Sequence, residues 1–227
     1  MTGDVNPESR DEENLRLLHL RFIGKILSGF THEIKNYLAI IKESAGLLED
    51  LMTLGKGSQS SSGQYLEIIH SIEEQIEKTN ILFRYLNRFA HRMDYQLATF
   101  NINESLEELT ALVTRFANQK KITIEKDFHE SMPSIYSNPS LLQFVVYTVL
   151  EEKIRNLGKN SKIAIQTGVD ENSVRIRLVS EGNLIEGEGD TTSIPYEVLE
   201  KIIKQLGGNI SEENGRETLM MLPLTNS

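Results

Sequence analysis

Phe30-Thr31-His32-Glu33-Ile34-Lys35-Asn36 joins a histidine to an adjacent carboxylate and, one turn later, an amide, inside a run whose apolar residues recur every three or four positions. Read outward in both directions, Phe22, Ile26, Phe30, Ile34, Leu38, Ile41, Ala45, Leu48 and Met52 fall on one face, which predicts an amphipathic helix of about forty residues starting near Glu12. At about 100° per residue, His32 points away from Ile34 and Leu38, with Asn36 almost above it and Ser28 almost beneath. The imidazole is therefore expected on a solvent face. Gly29, one turn back, and Ala39, two turns on, are expected to leave room for a partner to reach it.

The helix should stop at the Gly/Ser cluster running from Leu54 to Gly63, which cannot pack. Beyond it Ile69, Ile72, Ile76, Thr79, Phe83, Leu86, Ala90 and Met93 step alternately by three and four, the spacing of a coiled-coil seam. Two long helices with a short connection predict an antiparallel hairpin. Its stripes are longer than either helix can cover for the other, so a homodimer of hairpins in a four-helix bundle is expected; the alternative is burial of both stripes against the rest of the chain.

After Leu97 short strands alternate with helices. Thr99–Asn101, Lys121–Lys126, Lys162–Thr167, Ser173–Val179, Asn209–Glu213 and Glu217–Leu222 read as strands. Asn103 is expected to cap a helix to about Gln119, Asn138-Pro139 to open one to about Leu157, and a helix from Tyr196 to end at Gly207-Gly208. Asn214-Gly215 signals a tight hairpin. The expected class is α+β multidomain: a flexible tail (1–10), a helical hairpin (11–97), and an α/β sandwich with a mixed sheet (98–227).

The chain has 227 residues, 39% apolar and 25% charged, enough for one large domain or two small ones. No apolar run approaches the roughly 20 residues of a membrane span, and the polar, acidic N-terminus lacks the features of a secretory signal, so a soluble cytoplasmic protein is expected. The absence of cysteine excludes disulfides and thiolate metal sites. A net charge of -9 argues against nucleic acid and toward protein partners.

A neutral imidazole is a good nucleophile, and the Glu33 carboxylate can take or hold its second ring proton. Asn36 can bond a phosphoryl oxygen or orient a water, and Lys35 can offset phosphate charge. His19, His70, His91 and His129 lack this constellation and read as structural or solvated; no group has convincing metal-ligand spacing; Glu73-Glu74 and Glu107-Glu108 read as solvated helix faces.

The whole run Ser28–Ile41 resembles the phosphoacceptor box of bacterial sensor histidine kinases, with Tyr37 standing where that family often has proline; the helix should therefore be unkinked. Residues Phe100 to Leu224 resemble the catalytic ATP-binding domain that follows the hairpin in those proteins. The resemblance rests on Asn138-Pro139-Ser140-Leu141-Leu142-Gln143-Phe144 and on the tail from Leu199 to Pro223. By the same alignment Tyr147 and Glu151 stand where the family has two asparagines, Ser180 replaces the adenine-reading aspartate, and Gly182 is followed by Asn183 in place of a second glycine. Only twelve residues separate Gly182 from Pro195, and Gly187-Glu188-Gly189-Asp190 would oppose a phosphate. The resemblance thus implies a histidine phosphotransferase of a two-component phosphorelay, with no cofactor of its own. His32 would exchange a phosphoryl group with response-regulator receiver domains, and the regulator would bring the Mg2+. Alternatives are a regulator phosphatase in which Asn36 orients water, a non-enzymatic pseudokinase scaffold and, last, an active sensor kinase.

Overall fold

The computed structural model describes residues 7–54, 62–185 and 194–224, the side chains of 7–12, 54 and 62 excepted. Residues 1–6 of the expected tail, most of the Gly/Ser cluster, and Gly187-Glu188-Gly189-Asp190 lie outside the described residues.

Helix α1 (Pro7–Leu54) runs unbroken through Tyr37, as expected where no proline ring removes a backbone donor. Helix α2 (Ser62–His91) returns antiparallel to it: the Tyr65 hydroxyl donates to the Leu51 carbonyl near one end, and the Phe30 and Phe83 rings meet edge to face at 5.0 Å further down. Then follow β1 (Ala98–Asn101), α3 (Ile102–Gln119), β2 (Thr123–Asp127), β3 (Ser134–Ser137), α4 (Pro139–Asn156), β4 (Lys162–Asp170), β5 (Ser173–Glu181), α5 (Tyr196–Gln205), β6 (Asn209–Glu213) and β7 (Glu217–Pro223). The main sheet has the order β2-β4-β5-β7-β6; β2 and β4 are parallel and the other pairs antiparallel, so the sheet is mixed. Alternation along β5 buries Val174, Ile176 and Leu178 on the face that α3, α4 and α5 cover, where Leu109, Val145, Val149 and Ile203 are also buried.

Local chemistry explains most boundaries. The Asn138 side chain accepts from the Leu141 amide at 3.0 Å, and Pro139 opens α4. Asn214 and Gly215 both have positive φ, the conformation a tight hairpin needs. Helix α3, however, is capped by Asn101 and not by Asn103: Asn101 accepts from the amides of Asn103 and Glu104, while Asn103 ties loops together by donating to the His129 carbonyl and accepting from Thr167. Strand β2 starts at Thr123, two residues later than expected, because Lys121 turns the chain with φ 56. Strand β3 is additional; its four residues pair only with β1.

The long stripe divides. Phe22 and Ile26 are buried, but Leu38 and Met52 are 54% and 62% exposed. On α2 the inward row is Gln75, Leu82 and Phe89, while Ile69, Ile76 and Phe83 of the expected seam face solvent. The helix is rotated so that Ile72, Thr79, Leu86 and Met93 are the part-buried seam positions, while Phe83, half exposed, touches α1 at the Phe30 ring. Glu108 also departs from expectation. It is fully buried, and Arg92 at the end of α2 donates to both its oxygens, at 2.8 and 3.0 Å, while lying over the Phe100 ring. A buried carboxylate needs such a partner, and this one fastens the hairpin to α3. Glu107 pairs with Lys126.

Candidate functional site

His32 sits exposed near the middle of α1, with Ser28, Lys35, Asn36 and Ala39 exposed around it. Among the described residues its ring makes no hydrogen bond or ion pair. Helical spacing explains the cluster: positions 28, 32, 35, 36 and 39 share one side of the cylinder, away from Phe22 and Ile26.

Gly29 does not belong to that cluster. It is buried beneath α3, and a Cβ built on it would lie 2.7 Å from Phe116 Cζ and 3.7 Å from the Leu112 carbonyl oxygen. The small residue makes room for α3 of the same chain and is not part of an open approach to the ring. The next turn is held by the same helix. Glu33, part-buried, has Oε2 3.6 Å from Arg115 Nε. Burial, then the nearby charge of Glu33, push the Tyr37 phenol up to about 12. The structure therefore brings Glu33 to Arg115 and Tyr37.

The second set of positions lies on α4. The Tyr147 ring is 4.8 Å from Phe22, centroid to centroid, and its hydroxyl donates to Glu151 Oε1 at 2.9 Å; Lys25 of α1 donates to the same oxygen. Burial, followed by the Glu151 charge and hydrogen bond, raises the Tyr147 phenol far above its ordinary value. Phe22 also meets Phe89 and Phe144 edge to face and stacks on His19, whose Nε2 lies 2.9 Å from Ser140 Oγ. A cavity of about 450 Å³ remains between α1 and α4, bordered by Arg21, Lys25, Tyr147, Thr148, Glu151 and Arg155.

Ser180 lies near the end of β5, and Gly182 follows the strand. The Ser180 hydroxyl is buried without a partner among the described residues. Gly182, at φ +132, is required because a Cβ there would collide with Ser161 Oγ. Between α4, α5 and β7, beside Lys153 and Thr218, there is a smaller cavity of about 40 Å³. The buried Lys153 ammonium, lowered by desolvation, donates to the Arg216 carbonyl. Phe22, Lys25 and Arg115 take part in these sites without having been singled out for them from the sequence. No local signal marks them, because each acts on a residue at least 80 positions away or on another helix.

No family model matches the chain. Its sequence is similar to sporulation kinase B of Bacillus subtilis (strain 168), 25% identical over 156 residues, 67% of this chain and 33% of that protein. It is also similar to the sensor histidine kinase ZraS of Escherichia coli (strain K12), 20% identical over 230 residues, 94% of this chain and 48% of that one. The chain thus spans about a third to a half of the length of these curated relatives. Among solved structures, the nucleotide-free catalytic domain of histidine kinase ThkA matches with a TM-score of 0.51 at 20% identity, covering 58% of this chain and all of that one. No helix among the described residues is long and apolar enough to cross a membrane.

Proposed function

We propose that this chain, which is histidine kinase-like in sequence and fold, is a phosphoryl carrier that exchanges phosphate between response-regulator aspartates through His32 and does not load itself from ATP. The observation that carries the reading is the contrast at the two helices: the His32 ring is exposed and unpartnered among the described residues, while the two positions where the family has asparagines carry Tyr147, packed on Phe22, and Glu151, paired with Lys25.

The transfer needs an in-line approach of the imidazole to an aspartyl phosphate, and positioning carries most of that chemistry. Asn36 and Lys35, on the same exposed side, can bond and neutralise the moving phosphoryl oxygens, and Ser28 and Ala39 are small enough to let a receiver domain close on the ring. Mg2+ and the acidic pocket belong to the regulator in this scheme.

The side chains at the two asparagine positions speak against a nucleotide by their chemistry and not by lack of room: Tyr147 lies against Phe22, and Glu151, paired with Lys25, sets a negative charge on the wall of the 450 Å³ cavity. Dimerisation belongs to the same proposal: Leu38, Ile69, Ile76 and Phe83 are a row of exposed apolar side chains on the hairpin, which a second hairpin would cover.

Receiver domains carrying labelled aspartyl phosphate test the reading. The wild-type chain should take up label without nucleotide, His32→Gln should take up none, and labelled ATP with magnesium should leave both blank. Persistent label on His32→Gln overturns the role of His32, and labelling from ATP overturns the carrier assignment.

A further inference from the structure

We infer that α3 clasps the turn Gly29–Glu33 and holds the Glu33 carboxylate away from the His32 ring, with Arg115 and Phe116 as positioning residues that tie the α/β domain to the reactivity of that histidine. The inference rests on the reading of His32 as the phosphoacceptor.

Two contacts of different kinds, one turn apart, converge on the same segment. Phe116 fills the niche left by the missing side chain of Gly29, so α3 approaches the α1 backbone as it could not at any larger residue. Its neighbour Arg115, with only 18% of its side chain exposed, then lies 3.6 Å from Glu33, whose side chain is 26% exposed. Tyr37, four residues along α1 from Glu33, lies on the same side of the helix. Consecutive helical residues diverge by about 100°, so a carboxylate anchored on the α3 side is turned off the exposed imidazole. Among the described residues the ring has no other partner for its N–H.

The mechanistic consequence follows from what the carboxylate would do if released. A neutral imidazole that attacks phosphorus through one nitrogen becomes cationic unless the other gives up its proton, and a nearby carboxylate hydrogen-bonded to that N–H favours the attack. The clasp withholds this assistance while α3 is docked. A state of the α/β domain that moves α3 returns Glu33 to the ring. A domain without nucleotide chemistry would thereby still govern the phosphohistidine site.

Phosphoramidate gives a test that needs no cognate regulator. Its P–N bond to ammonia breaks, a P–N bond to the imidazole forms, and ammonia leaves with the proton that the neutral ring gives up. Modification of His32 is followed by intact mass and peptide mapping on the full chain. Arg115→Gln should accelerate labelling roughly fivefold, the worth of one hydrogen bond gained. Arg115→Lys should stay near the wild-type rate, and Gly29→Ala, which wedges α3 outward, should accelerate labelling as Arg115→Gln does. In a Glu33→Gln background Arg115→Gln should change nothing, because the arginine acts through that carboxylate. Equal rates for wild type and Arg115→Gln, or the same acceleration with Glu33 already replaced, overturn the clasp. If this pattern holds while no receiver domain transfers phosphate to His32, the phosphorelay reading fails and the clasp stands.

Discussion

The hairpin carries apolar rows of similar spacing at two places, and they have opposite fates. Phe22 and Ile26 on α1 are 2% and 0% exposed, Phe22 locked among Phe89, Phe144 and Tyr147, whereas Ile69, Ile76 and Phe83 on α2 are 41%, 46% and 50% exposed. Periodicity alone treats them as equals. What separates them is what lies opposite. The first row has an aromatic ridge on α4 to enter, and that ridge is the place where the histidine kinase resemblance sets its asparagines. At one of those positions Tyr147 offers Phe22 a ring that an asparagine would not.

The largest expected effect breaks the buried row. Phe22→Ala removes a fully enclosed ring and should cost about 3 to 5 kcal/mol in urea unfolding. On the proposed reading the variant gains no nucleotide contact, because Glu151 keeps its place and its charge. Calorimetry of the variant with ATP and magnesium should therefore stay flat. A loss below about 1 kcal/mol would mean that the hairpin and the α/β domain are not packed through this ring.

Much of this was legible in the residues. The unbroken α1, the α4 cap at Asn138, the antiparallel hairpin and the Asn214-Gly215 turn follow from local signals, and the matching relatives bear out the histidine kinase-like reading. The exposure of His32 followed from helical geometry. The misses share a cause. Helical spacing places Gly29 one turn from His32 and says nothing of the approach of Phe116. Glu108 was read as solvated because nothing local announces Arg92. Asn103 lost the cap to Asn101 because two asparagines compete for one job, and only the loop contacts to His129 and Thr167 decide between them. One-dimensional patterns report which side of an element is apolar. They do not report which neighbour arrives there.

A smaller effect on the chain's own fold sharpens the comparison from the exposed side. Ile69→Glu with Ile76→Glu alters two half-exposed positions, so the stability of the single chain should change by about 1 kcal/mol or less. Association is where the change should appear: sedimentation at micromolar concentration should give a dimer for the wild type and a monomer for the double variant. A wild-type chain that sediments as a monomer removes the second hairpin from the proposal, and a double variant that remains dimeric puts the interface elsewhere.

The smallest effect lies at the rim of the buried row. His19 stacks on Phe22, meets Phe144 edge to face, and reaches Ser140 through Nε2, and burial lowers its pKa from the ordinary 6.5. A base whose folded value lies below its unfolded one leaves the unfolded chain holding more protons, so stability rises with pH in that window. The contribution is complete above about 6.5, where both states are neutral, and is lost as the pH falls toward the lowered folded value. His19→Gln removes the titration but keeps a polar group that can reach Ser140. Between about pH 7 and pH 5 the urea midpoint of the wild type should therefore fall further than that of the variant, the carboxylates common to both cancelling in the difference. Parallel curves would show that the ring protonates as easily in the folded chain as in the unfolded one, and that the aromatic seal around Phe22 is open to water.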